Sequence, residues 1–256
     1  MDNLIVLIAI GFIIGTFGTL IGAGGGFILV PLLILSMPAM KPEIITAVSI
    51  AVVAANAISG SIAYAKAKRI DYKAGMLFGA FTIPGSIAGV FVTKYIPIHL
   101  FNIAFGILLI VVAIYLFVKQ PGKNISVSQG VTNGIRTHSL TDSTGTMYKY
   151  SFNQNYGLLI SIIVGFLSPL LGIGGGIIHV PAMVQWLQFP VSVATATSHF
   201  VLAIMSTVSV IVHIFQGSYK DPHVLKIVVG LCLGVIPGAQ LGAYISLENM
   251  YDYTYC

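Results

Sequence analysis

Seven long apolar segments constrain the fold of this 256-residue chain most strongly. No charged residue lies at the centre of any of them. About 20 apolar residues are enough for a helix to cross the hydrocarbon core of a bilayer. The segments cover residues 4–36, 44–65, 74–94, 98–118, 156–188, 192–215 and 224–246. Only 7% of the residues are charged, against roughly 25% in a soluble domain. We therefore predict an all-α polytopic membrane protein of the cell membrane, with about seven to eight transmembrane segments.

Two of the segments are too long for one straight crossing. Residues 4–36 and 156–188 each exceed 30 residues, which corresponds to about 48 Å of helix against a hydrocarbon core of about 30 Å. We therefore expect each of them to bend, to break or to re-enter the membrane.

A glycine-rich motif occurs in both overlong segments, at an offset of 150 residues. GAGGGFILVP (22–31) returns as GIGGGIIHVP (172–181), with seven identities in ten. Two shorter stretches return in the same order: TAVS (46–49) as TATS (195–198), and IPGSIAG (83–89) as IPGAQLG (236–242). Order and spacing favour an internal duplication. We predict two homologous repeats, with a Gly/Pro-broken helix at the start of each.

A polar segment, residues 119–155, separates the first predicted repeat (1–118) from the second (156–256). It is rich in Ser, Thr, Asn and Gly and has no sustained apolar period, which predicts a flexible linker. Basic residues outnumber acidic ones here and in the 66–73 loop, so both are predicted to be cytoplasmic. The N-terminus is then cytoplasmic if residues 4–36 cross once, and external if they form a re-entrant hairpin.

The glycine motifs predict places where a helix opens inside the membrane. Glycine costs a helix about 1 kcal/mol relative to alanine, and Pro31 and Pro181 each remove a further backbone hydrogen bond. Freed N–H groups at the start of a half-helix form a cluster of donors at the positive end of its dipole, which suits an anion. Alanine at the central glycines should then weaken anion binding and leave the fold as stable as before.

Helix packing is the alternative role for glycine. It is the interpretation we favour for Gly85 with Gly89 and for Gly238 with Gly242, because small residues four apart let two membrane helices approach closely. Three successive glycines fit that role less well, since they cannot all lie on one helix face.

At these residues the chain resembles the TauE/SafE family of sulfite exporter-like permeases, whose members carry GxGGGxxxVP near the start of each of two repeats. The resemblance covers nearly the whole chain. It implies a multi-pass transporter for small anions, especially sulfite, sulfonates and related organosulfur compounds. A complete second repeat would contain a partner for segment 98–118, whereas LENMYDYTYC follows Ser246. We expect the eighth segment to be missing or truncated.

Polar residues inside the segments complete the predicted substrate site. His179 lies in the second glycine motif and His199 directly after TATS, and an ionisable residue within a membrane segment marks function by default. Leu29 and Ile50 stand at the corresponding places of the first repeat, so proton coupling through either histidine would be asymmetric. A neutral, structural histidine is the alternative for each. The predicted substrate-binding residues are Gly22, Gly24, Gly25, Gly26, Ser49, Asn56, Gly172, Gly174, Gly175, Gly176, His179, Thr195, Thr197, Ser198 and His199.

The predicted function is a secondary transporter that moves a small anion between two rocking repeats. The alternatives are a passive anion channel and a structural membrane subunit. An enzyme is disfavoured, because the sequence contains neither HExxH nor GxSxG and no carboxylate inside a segment. The two cysteines have no metal-ligand spacing, and no metal or cofactor is predicted. The expected partners are the anion, membrane lipid, a coupled proton and further copies of the chain, and not nucleic acid, because the basic residues are dispersed over short loops.

Overall fold

The computed structural model describes residues 3–118 and 134–252, which form nine helices and one two-stranded sheet. The elements are α1 (Leu4–Ile21), α2 (Gly26–Ser36), α3 (Pro42–Lys66), α4 (Tyr72–Thr93), α5 (Ile98–Val118), β1 (Ile135–Thr141), β2 (Met147–Asn153), α6 (Gln154–Leu171), α7 (Gly176–Gln185), α8 (Val191–Gln216) and α9 (Pro222–Asp252). All of these helices except α2 and α7 are long and apolar enough to cross a membrane. The predicted all-α polytopic membrane protein is confirmed.

Each overlong segment is divided into a pair of helices, as predicted. Residues 4–36 form α1 and α2, and residues 156–188 form α6 and α7. The breaks lie within the two glycine motifs, at residues 22–25 and 172–175.

Contacts between helices fix the direction of α1. A Cβ at Gly15 would lie 2.9 Å from the Cα of Val235, and one at Gly230 would lie 2.9 Å from the Cβ of Leu7. Residue numbers therefore rise together along α1 and α9, and the two helices are parallel. Such close approach of two backbones requires glycine. Gly238 and Gly242 on α9 lie equally close to the main chain of α1, which confirms the packing role predicted for this pair.

The direction of α3 shows that α1 and α2 form a re-entrant pair. The Tyr219 hydroxyl, just before α9, donates to the carbonyl of Ala47 (2.9 Å), and Gln240 Nε2 donates to the carbonyl of Ser59 (2.6 Å). Helix α3 is thus parallel to α9 and to α1. Because α1 and α3 run the same way, α2 must run back between them.

Helices α6 and α7 form a second re-entrant pair by the same argument. Helix α4 is parallel to both α6 and α8, so α7 must run back. The contacts that show this are Thr82 with Gly165, Leu170 with Gly89, Phe200 with Gly75 and Ile204 with Gly79.

The two pairs enter from opposite ends of the bundle, because α3 and α8, which follow them, are antiparallel. A Cβ at Gly60 on α3 would lie 2.6 Å from the His199 ring, whereas Val53 packs on Leu202. We call the end with the α3–α4 loop (67–71) and the strands the hairpin end; the other is the opposite end.

The two re-entrant helices α2 and α7 are short. With 11 and 10 residues, they are about 16 Å and 15 Å long. This is about half of a hydrocarbon core of about 30 Å. A Cβ at Gly24 would meet Leu202 and Val53, and one at Gly174 would meet Val53. Because these two residues lie at the middle of α8 and α3, both breaks lie near mid-depth of the bundle.

Two large apolar clusters surround the re-entrant pairs. One joins α1, α2 and α3 to α9 and includes Ile14, Leu29 and Ile173. The other joins α7 and α4 to the strands and includes Phe78 and Met183. The breaks are therefore held from both sides by buried side chains.

The prediction of a flexible linker was wrong for residues 135–153. They form an antiparallel hairpin in which Ile135 lies opposite Asn153 and Thr141 opposite Met147. Tyr150 and Phe152 are buried against the bundle, and this apolar contact gives the hairpin the packing that an isolated two-stranded sheet lacks. The first part of the predicted linker, residues 119–133, lies outside the described residues.

Candidate functional site

Left-handed backbone conformations explain the first break. Helix α1 ends at Ile21 and is capped by Gly22 with φ 77°, and Gly24 and Gly25 follow with φ 78° and 83° before α2 begins at Gly26. Glycine populates this region freely, whereas a residue with a Cβ is strained there. Because three of four successive positions need this conformation, the motif is required locally for the chain to reverse.

The second break has the same conformation. Gly172, Gly174 and Gly175 have φ 71°, 80° and 64°, and α7 begins at Gly176. The predicted helix breaks are thus present in both motifs, and Pro31 and Pro181 lie within α2 and α7.

The two breaks touch each other through their main chains. A Cβ at Gly176 would lie 2.7 Å from the Cα of Ala23, and one at Gly26 would lie 2.7 Å from the carbonyl carbon of Ile173. These distances are shorter than real Cβ contacts, so only glycine allows the two chains to approach this closely. The N-termini of α2 and α7 consequently meet near mid-depth.

Unpaired N–H groups lie at this meeting point. The first N–H groups of any helix lack a partner within the helix. In the described part of the chain, no hydrogen bond is donated by the backbone N–H of Gly26, Phe27 or Ile177. Two half-helices thus direct their positive ends and free donors at one region, which suits an anion.

Asn56, on α3, is the polar side chain that lies beside the start of α2. It is fully buried, and its Oδ1 accepts a hydrogen bond from the Thr19 hydroxyl (2.7 Å). Its Nδ2 has no partner among the described residues and would lie 2.9 Å from a Cβ at Gly18, which in turn packs on Gly25. A free amide donor therefore lies beside the first break.

Ser168 is the corresponding side chain at the second break, and sequence reasoning missed it. It is fully buried, its Oγ has no partner in the described part of the chain, and it lies 3.1 Å from where a Cβ of Gly175 would be. Ser168 precedes Gly172 by four residues, as Gly18 precedes Gly22. Extending the comparison of the two motifs by one helical turn would have found it.

The TAVS and TATS stretches lie against the breaks. Ser49 donates a hydrogen bond to the carbonyl of Gly172 (2.6 Å). Thr195 Cγ2 would lie 2.8 Å from a Cβ at Gly22. Each stretch therefore contacts the break of the other motif.

The two candidate histidines occupy different places. His179 on α7 is fully buried, and its Nδ1 lies 3.3 Å from the Ser198 hydroxyl, while its Nε2 has no partner among the described residues. His199 packs edge-on against Tyr64, with ring centroids 5.7 Å apart, and neither of its ring nitrogens makes a side-chain hydrogen bond. His179 thus belongs to the second break, and His199 lies between α8 and α3.

Thr197 is the predicted site residue that the structure does not bring to the breaks. Its hydroxyl accepts a hydrogen bond from the N–H of Asp71 (3.0 Å), in the α3–α4 loop. This contact ties α8 to the hairpin end.

The expectation that alanine at the central glycines leaves the fold unchanged does not fit these contacts. Positive φ strains any residue with a Cβ. In addition, a Cβ at Gly24 would lie 2.7 Å from the Cδ2 of Leu202, and one at Gly174 would lie 2.9 Å from the Cγ1 of Val53. Alanine therefore costs stability at both breaks.

The arrangement has hydroxyl, amide and main-chain donors without a charged side chain. The predicted site residues are all buried, and none of them is acidic or basic apart from the two histidines. The described residues also contain no group of three or more His, Cys, Asp or Glu side chains that could hold a metal ion. Such a site can attract an anion without burying a fixed charge when it is empty.

These features define a class: a multi-pass membrane protein in which two re-entrant helix pairs enter from opposite ends and meet at glycine breaks. Comparison with known proteins supplies the family. Residues 7–249 match the family described as Sulfite exporter TauE/SafE, and the chain belongs to that family.

Curated relatives cover almost the whole chain. It is 35% identical over 251 residues to the probable membrane transporter protein YunE of Bacillus subtilis (strain 168), covering 95% of this chain and 89% of the relative. It is 30% identical to the probable membrane transporter protein MJ0441 of Methanocaldococcus jannaschii, covering 94% and 85%. No solved structure matches the chain. Family and relatives together identify a membrane transporter.

Proposed function

We propose that the chain is a secondary transporter for a small anion, and that the anion binds between the two glycine breaks. One observation carries the proposal: the N-termini of α2 and α7 meet near mid-depth with unpaired N–H groups and no charged neighbour among the site residues. Membrane transporters use the N-termini of such broken helices to bind anionic groups.

The substrate class follows from the donors. An oxyanion offers several acceptor oxygens, which match the N–H groups together with the Asn56 amide and the Ser168 hydroxyl. The family is described by sulfite export, and we propose sulfite or a sulfonate or related organosulfur compound as the substrate. The site supplies no fixed positive charge, so helix dipoles and hydrogen bonds provide the attraction.

The two predicted repeats provide the moving parts of the proposed mechanism. We propose that residues 1–118 and 156–256 rock against each other about the two breaks. The charge bias of the loops puts the hairpin end in the cytoplasm, and a re-entrant α1–α2 pair then puts the N-terminus outside. A proton coupled through His179 or His199 would act on one side of the site.

Transport by purified protein in liposomes tests the proposal. We expect saturable uptake of radiolabelled sulfite that is accelerated by unlabelled sulfite inside, because exchange requires an alternating site. Uptake without such acceleration would indicate a passive channel, and no uptake of sulfite, sulfonates or other small oxyanions would refute the proposal.

A matched pair of serine variants tests the location of the site. Ser168→Ala removes a hydroxyl that has no partner among the described residues. Ser161→Ala, on the same helix, removes an equally buried hydroxyl that donates to the Gly157 carbonyl (2.7 Å). A hydrogen bond to a charged group contributes about 1.5–3 kcal/mol, so Ser168→Ala should weaken sulfite binding about tenfold or more. Equal affinity in both variants would remove Ser168 from the site.

A further inference from the structure

The β1–β2 hairpin is fastened to the α3–α4 loop by its turn. The N–H of Ser143 donates to the carbonyl of Ala67 (3.0 Å), and Asp142 Oδ2 lies 3.4 Å from Arg69 Nε. The two charged side chains are only 5% and 1% exposed. The ion pair and the main-chain hydrogen bond together favour one docked position of the hairpin.

Asp71 connects both strands to two membrane helices. Its carboxylate accepts hydrogen bonds from the Tyr150 hydroxyl (2.7 Å) on β2 and from the Ala74 N–H (3.1 Å) in the first turn of α4. His138 Nδ1 on β1 contacts the same carboxylate. Burial, the hydrogen bond and the negative charge of Asp71 raise the pKa of Tyr150 above its ordinary value, so its hydroxyl remains a donor. The backbone N–H of Asp71 donates to Thr197 on α8.

An aromatic cluster extends the hairpin across the entrance of the α6–α7 pair. The ring of Phe152 on β2 packs on Phe78 of α4 and on Phe189, just before α8, with centroids 5.9 and 4.8 Å apart. The Phe78 ring in turn lies 6.0 Å from that of His179. The hairpin thus contacts both predicted repeats, and only one ring separates it from the second break.

A cavity lies at the opposite end of the bundle. It has a volume of about 400 Å³ and is lined in part by Lys41, Thr93 and Lys94. The Thr93 hydroxyl also donates to the carbonyl of Leu170 (3.0 Å), two residues before Gly172. Thr93 therefore connects this cavity to the end of α6, whereas the hairpin lies at the entrance of the α6–α7 pair.

We propose that the β1–β2 hairpin is the gate at the hairpin end of the transport pathway and that Asp71 is the residue that positions it. This inference rests on the proposed function. An anion that leaves the breaks towards the hairpin end must pass the mouth of the α6–α7 pair, which Tyr150 and Phe152 cover. The hairpin must then detach from the α3–α4 loop in each cycle.

A reversible cross-link tests the gate. In a parent with Cys232→Ala and Cys256→Ala, Ala67→Cys with Ser143→Cys joins the hairpin turn to the α3–α4 loop. Thr137→Cys with Ser151→Cys is the matched control, because these residues pair across the two strands and the link leaves the hairpin free to move as a unit. A short bifunctional thiol reagent that contains a disulfide closes either pair, and a reductant reopens it.

Cross-linking of the docking pair should reduce sulfite transport at least tenfold, with sulfite binding retained and full recovery after reduction. Cross-linking of the control pair should leave transport unchanged. Transport at the parent rate with the docking pair linked would overturn the gate and leave the proposed function intact. Absence of both binding and transport in the unlinked parent would overturn the proposed function and the gate together.

A second experiment tests Asp71 as the positioning residue. Asp71→Asn should lower the yield of the docking cross-link severalfold and leave the yield of the control cross-link unchanged. Tyr150→Phe, which removes one donor to the same carboxylate and keeps the ring, should have a smaller effect in the same direction. Unchanged docking yield in both variants would show that Asp71 does not position the hairpin.

Discussion

The α1–α2 and α6–α7 pairs have the same backbone conformation at their breaks and differ in the polar side chains around them. Both reverse direction through three glycines with positive φ. The first break has Asn56 beside it, and the second has Ser168, His179 and Ser198. The mouth of the second pair is also covered by the hairpin. The glycine motif therefore specifies the break, while the residues around it make the two sides of the proposed site unequal.

The largest effect on stability should come from replacing a glycine of either break by alanine. We expect Gly24→Ala to lose about 1–3 kcal/mol of stability from backbone strain, because its close neighbours are side-chain ends that can move. Gly174→Ala should lose about 1–3 kcal/mol more stability than Gly24→Ala, since its Cβ would also lie 3.1 Å from the Ala23 carbonyl oxygen. Denaturation in detergent measures the stability of both variants.

Gly106→Ala is the control for this comparison. Gly106 lies in α5, and a Cβ there would meet nothing within 4 Å, so alanine should stabilise the helix by up to about 1 kcal/mol. If Gly174→Ala were as stable as Gly106→Ala, the close contact between the breaks would be refuted.

The histidines should produce the next largest effect, because they are the only ionisable side chains among the predicted site residues. We expect His179→Gln or His199→Gln to flatten the pH dependence of transport, because glutamine keeps a hydrogen-bonding side chain and cannot take up a proton. His99→Gln, on exposed α5, is the control and should leave the profile unchanged. Unchanged profiles in both test variants would make the two histidines structural and remove them from proton coupling.

Acid should release the hairpin, with a smaller effect. Burial pushes the pKa of Asp142 upwards, but hydrogen bonds from Thr144 and Thr146 and the charge of Arg69 outweigh it, and the pKa lies below its usual value. Thr144 and Thr146 belong to the hairpin's own turn, so only the attraction between Asp142 and Arg69 depends on docking. This attraction is present above the ordinary aspartate pKa of about 3.9 and is lost as the pH falls through the lower pKa of the docked state. Docking should be intact at about pH 5 and weaken below about pH 4.

The distance between spin labels at Lys68 and Ser143 measures this release. We expect the distance to be constant from about pH 5 to 8 and to increase in stronger acid. Asp142→Asn should remove most of that acid dependence. A wild-type distance that does not change down to about pH 3 would show that Asp142 does not contribute to docking.

The sequence predicted the spans and both breaks because their causes are local. Apolar length identifies a membrane helix, and successive glycines with a following proline weaken one wherever they occur. The packing of Gly238 and Gly242 against Phe12 and Thr16 also followed from spacing. These features need no knowledge of distant residues.

The contact between the breaks could not be predicted, because it depends on residues 150 positions apart. The same holds for Thr197, whose place on α8 suggested the site although its hydroxyl bonds the α3–α4 loop. The hairpin did have a local signal: Tyr148, Tyr150 and Phe152 alternate at the period of a strand. Lys149 and Ser151 separate these aromatic residues, so the stretch is not an apolar run of membrane length.

The most direct test of the central claim is a titration of the backbone amides at the breaks with sulfite, followed by NMR of the isotope-labelled protein. We predict saturable chemical-shift changes at the N–H groups of Gly26, Phe27 and Ile177, with the same apparent affinity as transport and none with sodium chloride at equal ionic strength. Shifts confined to the surface loops, or no saturable shift while transport proceeds, would contradict an anion site between the two breaks.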